Sequence, residues 1–115
     1  MTNKVINDFQ RLKLDNNPDE IFYLNPKFTY HLDKGFRLKL TSLYKDVIKS
    51  QSTILDLMSS WVSHLPKDIN YKKVIGHGLN EQELKANKML DSYWIQNLNL
   101  NQVIPFNENT FDVCL

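Results

Sequence analysis

Apolar residues fall in two different rhythms along this chain. Between residues 35 and 49, Phe36, Leu40, Leu43, Tyr44 and Val47 stand at i, i+4, i+7, i+8 and i+11. That spacing predicts a helix with one apolar face, with Lys39, Lys45 and Asp46 mainly off it. The period then changes. "STILDL" (52–57) is a short apolar run with a β-branched start, as a buried strand requires. "KKVIGHG" (72–78), "SYWIQNL" (92–98) and "TFDVCL" (110–115) repeat the pattern.

The segments between these runs read as helix or loop. "SSWVSHLPKDINY" leaves room for a short helix closed by Pro66. "NEQELKANKMLD" (80–91) is built of good helix formers, and Asn80 with Glu83 has the spacing of a capping box. Residues 99–109 contain Pro105 and read as a loop. "NNPDE" (16–20) is a turn or a helix start, with Pro18 suited to a first turn and Asp19 and Glu20 to its positive pole. Strands alternating with helical segments predict an α/β, Rossmann-like fold, mostly parallel, with helices over the sheet. Ligands of such sheets collect at the carboxyl ends of the strands.

In that frame Asp56 lies near the carboxyl end of the first strand, and residues 58–63 form the turn that follows. A ligand-bearing turn there needs small side chains so that backbone N–H groups can approach an anion or a nucleoside. Ser59, Ser60 and Ser63 supply them, and their hydroxyls could equally cap a helix or close a turn.

Composition narrows the field. The chain has 115 residues, enough for one compact domain. Residues 1–20 read as a polar N-terminal segment and 21–115 as the domain. With 14 basic and 13 acidic residues, the net charge of +1 gives no electrostatic reason to expect a nucleic-acid partner. No run approaches the roughly 18 apolar residues of a membrane span, and the charged N-terminus does not read as a signal peptide. The lone cysteine, Cys114, sits in an apolar run and is expected to be a buried strand residue; it points to a reducing, cytoplasmic setting. His31, His64 and His77 are too far apart in sequence to suggest a metal site. His64 is placed in the helix after the first strand, His77 at a strand end where it could enter the cleft, Trp61 packing the loop helix onto the sheet, and Trp94 buried on one face of its strand.

The order of these pieces resembles a class I S-adenosylmethionine-dependent methyltransferase. "TILDLMSS" is similar to that family's first motif, "KVIGHGLNEQEL" to its second, and "PFNENTFDV" to the adenine-side loop and fourth strand. "FYLNPKFTYHLDKG" followed by "DLMSSWVSHLP" resembles a subgroup in which an aromatic segment precedes the cofactor domain. The resemblance implies S-adenosylmethionine as cofactor. It puts Asp56, Met58, Ser59 and Ser60 under the methionine and ribose side, Gly78 or Asn80 at the ribose, and Asn97 and Leu98 by the adenine. Tyr30 and His31 would join Tyr23 in a lid, and Asp112 would sit on the fourth strand just past the loop flanking the site. Three features depart from the family's pattern, one of them the adenine-side acid, which is here the amide Asn97. Serines replace its first glycine-rich loop, and Gly78 stands where most members carry an acid for the ribose hydroxyls. The resemblance covers the family's N-terminal half, so a sheet truncated after its fourth strand is expected, open to self-association at that edge. Such a chain would be inactive alone. A non-catalytic Rossmann-like module binding a partner protein or a nucleotide is the competing expectation.

Overall fold

A computed structural model describes residues 5–115. The chain forms a four-stranded, all-parallel sheet in the order β3-β2-β1-β4, built from β1 (Thr53–Asp56), β2 (Lys73–Gly78), β3 (Ser92–Ile95) and β4 (Val113–Cys114). With its flanking helices this is the expected α/β, Rossmann-like arrangement. Helices α1 (Asp19–Phe22) and α2 (Lys34–Val47) precede the sheet, and α3 (Glu81–Ala86) links β2 to β3. The strand order reverses at β1, whose neighbours are the second and the fourth strand in sequence. A crevice at the carboxyl ends follows from that topology.

Two carboxylates start the sheet. The Asp112 carboxylate accepts the Thr53 N–H at 2.7 Å while the Asp112 N–H donates to the Thr53 carbonyl. Asp91 does the same for Val74. Each aspartate fixes the register of a strand pair at its amino end. Asp112 therefore stands at the amino end of β1, one position before β4 and just past the preceding loop as expected, at the end of the sheet opposite the crevice.

The core gathers Ile48, Ile54, Leu65 and Val74, with Tyr44, Tyr71, Met89 and Leu90 packed against it. Ile54 and Leu55 are both buried, so both faces of β1 are covered. On the second face the cover is a chain of rings, His77 to Trp94 to Phe106 to Phe111, each pair 5.0 to 5.3 Å between centroids. Trp94 is thus half-buried on that face, as its strand position suggests.

Several elements differ from expectation. The predicted apolar face of α2 is split: Leu40 and Tyr44 turn inward, as does Ile48 just past the helix end, whereas Phe36, Leu43 and Val47 are exposed. The apolar arc of the helix is wider than the strip that meets the core. No helix follows β1, and residues 58–72 run irregularly. The serine hydroxyls there bond to side chains from other segments, which competes with helical backbone pairing. Trp61 accordingly packs on Phe28 and Tyr30 and donates its indole N–H to the Thr29 carbonyl, with no loop helix to carry it onto the sheet. His64 lies in the same irregular run, where its carbonyl accepts the Thr41 hydroxyl. Helix α3 stops at Ala86 because Asn87 turns its side chain to the serine loop. Cys114 is exposed on the two-residue edge strand β4, contrary to its expected burial. No helix among the described residues is long and apolar enough to cross a membrane.

Candidate functional site

The loops that leave β1, β2 and β3 converge at the carboxyl end of the sheet and enclose a cavity of about 490 Å³. Pockets of roughly 300–1,000 Å³ take small molecules and cofactors. The β1 loop contributes Met58, Ser59 and Ser60, the end of β2 contributes His77, Gly78 and Asn80, and the segment after β3 contributes Asn97 and Leu98. Phe22, Tyr23, Lys27 and His31, from the stretch between the start of α1 and α2, close the opposite side.

The β1 loop is held by a polar network behind it. The Asp56 carboxylate accepts the Ser59 hydroxyl at 2.7 Å and the Ser63 hydroxyl at 2.5 Å through one oxygen. Asn87, buried, donates to the Ser60 carbonyl and the Ser63 hydroxyl, both at 2.9 Å, and accepts the Met89 N–H. Asp56 itself borders a smaller neighbouring cavity of about 170 Å³, together with Tyr30 and Tyr44. Burial there, reinforced by the Asp56 carboxylate, pushes the Tyr44 phenol above its ordinary pKa. Asp56 thus organises the loop from its rear, while Met58, Ser59 and Ser60 present the loop to the main cavity.

His77 ties two rims together. Its Nδ1 lies 3.1 Å from the Met58 backbone nitrogen and its Nε2 2.7 Å from the Gln96 carbonyl. The Met58 backbone N–H can only donate and the Gln96 carbonyl can only accept, so Nδ1 is the acceptor and Nε2 carries the proton. The Ser59 N–H donates to the His77 carbonyl at 2.6 Å, pressing the β1 loop against β2. Gly78 is required by that approach: a Cβ there would stand 2.9 Å from the Ser59 carbonyl oxygen, a backbone atom. No side chain, and so no acid, fits at this position without moving the loop.

Met58 turns the loop with a φ of 50°, in the left-handed region that favours glycine. Met58→Gly is therefore expected to raise stability by up to about 1 kcal/mol, read as a higher urea midpoint at unchanged slope. A lower midpoint would show that the methionine side chain holds the turn more than its backbone strains it.

Met58, Ser59, Ser60, Gly78, Asn80, Asn97, Leu98 and His31 all border the main cavity. Tyr30 borders only the smaller cavity, clamped between Trp61 at 5.0 Å and the Arg37 guanidinium at 3.7 Å from its ring centre. Tyr23, the third lid residue, reaches the main cavity, and its carbonyl is held by the Asn80 amide at 2.9 Å. Asn80 also forms half of a capping box, accepting the Glu83 N–H at 3.1 Å. The Glu83 side chain does not complete the box. It turns to the Ser60 hydroxyl at 2.6 Å and lines the cavity.

Sequence reasoning missed Asn87 and the cavity role of Glu83. The capping-box spacing pointed to Glu83, though only as a cap. Nothing in the local pattern singled out Asn87, whose partners in the serine loop lie 24 to 28 positions away. No family model matches the chain, and neither a curated protein nor a solved structure does.

Proposed function

We propose that the cleft binds an S-adenosylmethionine-type nucleoside and that the chain is the cofactor-binding half of a methyltransferase-like domain. The observation that carries this reading is the single cavity shared by Met58–Ser60, Gly78–Asn80 and Asn97–Leu98, three segments at the ends of three adjacent parallel strands. An elongated nucleoside fits such a groove with its base toward β3 and its tail under the β1 loop. Methyl transfer from a sulfonium asks the protein for alignment more than for acid–base chemistry, so no catalytic residue is assigned. Turnover by the chain alone is not part of this reading. The open β4 edge, with Cys114 exposed, supports self-association there.

A second reading, a non-catalytic module that binds a partner protein or another nucleotide, is favoured by one observation. The carboxylate of Asp56 is already engaged by Ser59 and Ser63 and does not border the main cavity. Calorimetric titration with S-adenosylhomocysteine separates the two. The first reading expects one site per chain in the micromolar range. Leu98→Trp, which fills the base end, should weaken it by about tenfold or more. A folded chain that gives no heat supports the second.

A further inference from the structure

The middle of the cavity is walled by the end of β2 and the start of α3, and almost every polar group there is already engaged. Gly78 carries no side chain and has no room for one. Asn80 accepts the Glu83 N–H and donates to the carbonyls of Tyr23 and Leu24. Asp19, on the N-terminal side, is bound by the Lys13 ammonium, which holds its carboxyl below the ordinary range, and by the Asn99 amide.

Glu83 is different. It is 7% exposed, and one of its oxygens, Oε1, accepts the Ser60 hydroxyl. Its other oxygen, Oε2, has no partner among the described residues. Among the described residues no fully buried side-chain polar atom lacks a partner, so Oε2 opens to the cavity that Glu83 lines. A carboxylate this buried with one free oxygen is a strong acceptor waiting for a donor.

Given the nucleoside reading above, on which this inference rests, position decides which part of the ligand meets it. The base lies toward Asn97 and Leu98 and the tail toward Met58 and Ser59, which leaves the sugar at β2. We infer that the Glu83 carboxylate receives the 2′- and 3′-hydroxyls of the ligand's ribose, through Oε2 and the remaining lone pair of Oε1. The specificity group comes from α3 because the β1 loop occupies the space beside Gly78.

The test crosses a protein change with a ligand change. S-adenosylhomocysteine and its 2′-deoxy analogue are titrated into the wild-type chain and into Glu83→Gln. Loss of a charge-assisted hydrogen bond should weaken the ribonucleoside about tenfold or more in the variant. The 2′-deoxy analogue should lose about as much on the wild type, yet bind the variant within about twofold of the ribonucleoside. Independent losses that multiply would overturn the inference. So would a 2′-deoxy penalty below about twofold on the wild-type chain, whether or not the variant folds. A wild-type chain that binds neither ligand overturns the nucleoside reading and this inference together; binding without the expected coupling overturns the inference alone.

Discussion

His77→Leu is expected to lower the unfolding free energy by about 2–3 kcal/mol. Leucine resembles histidine in bulk, so little cavity is created, and the loss isolates the two ring nitrogens. Met58 would keep an amide with no acceptor, and Gln96 a carbonyl with no donor. Each orphaned group costs about 1–3 kcal/mol where water reaches it poorly. The effect should appear as a lower urea midpoint at unchanged slope. A change under about 0.5 kcal/mol would mean that the ring serves only as packing against Trp94. The same variant unties the β1 loop from the segment after β3, so it should also weaken any ligand that spans the cavity.

Asn87→Ala should cost about 2–4 kcal/mol, the largest effect of any polar substitution considered. The side chain is 4% exposed and serves the Ser60 carbonyl, the Ser63 hydroxyl and the Met89 amide at once. Alanine leaves these groups facing a small void. Asn87→Asp keeps an acceptor for Met89 but sets an oxygen against the Ser60 carbonyl, and should be no better tolerated. A cycle with Ser63→Ala checks the network: Ser63→Ala should cost less in the Asn87→Ala background than in the wild type. Equal costs in both backgrounds would show that the two residues act independently.

These two side chains also show where sequence reading stopped. The strand run "KKVIGHG" placed His77 correctly at a strand end, but gave no hint that its ring would bridge the loops after β1 and β3. Those partners come from segments 19 positions away on either side. Asn87 sits in a stretch of good helix formers that argued for a helix to residue 91; its tertiary bonds ended the helix at Ala86. The serines after β1 were legible as small and hydroxylated. Whether they would open a helix or brace a loop depended on Asp56, Glu83 and Asn87 arriving behind them.

By itself the amino-acid sequence determined the four strands, their alternation with helical segments and the parallel class of the sheet. Runs of apolar residues bounded by polar turns can be buried in few other ways. It also determined that residues near 58–60, 78–80 and 97–98 would gather at one end, because strand ends in a parallel sheet share a side. Only the tertiary structure decided the work of each side chain there: Asp56 bracing the loop, Gly78 making way for it, and Glu83 turned from cap to cavity wall. Hydrophobic periodicity is a local property that survives in one dimension, whereas a hydrogen bond's partner is chosen by three-dimensional proximity.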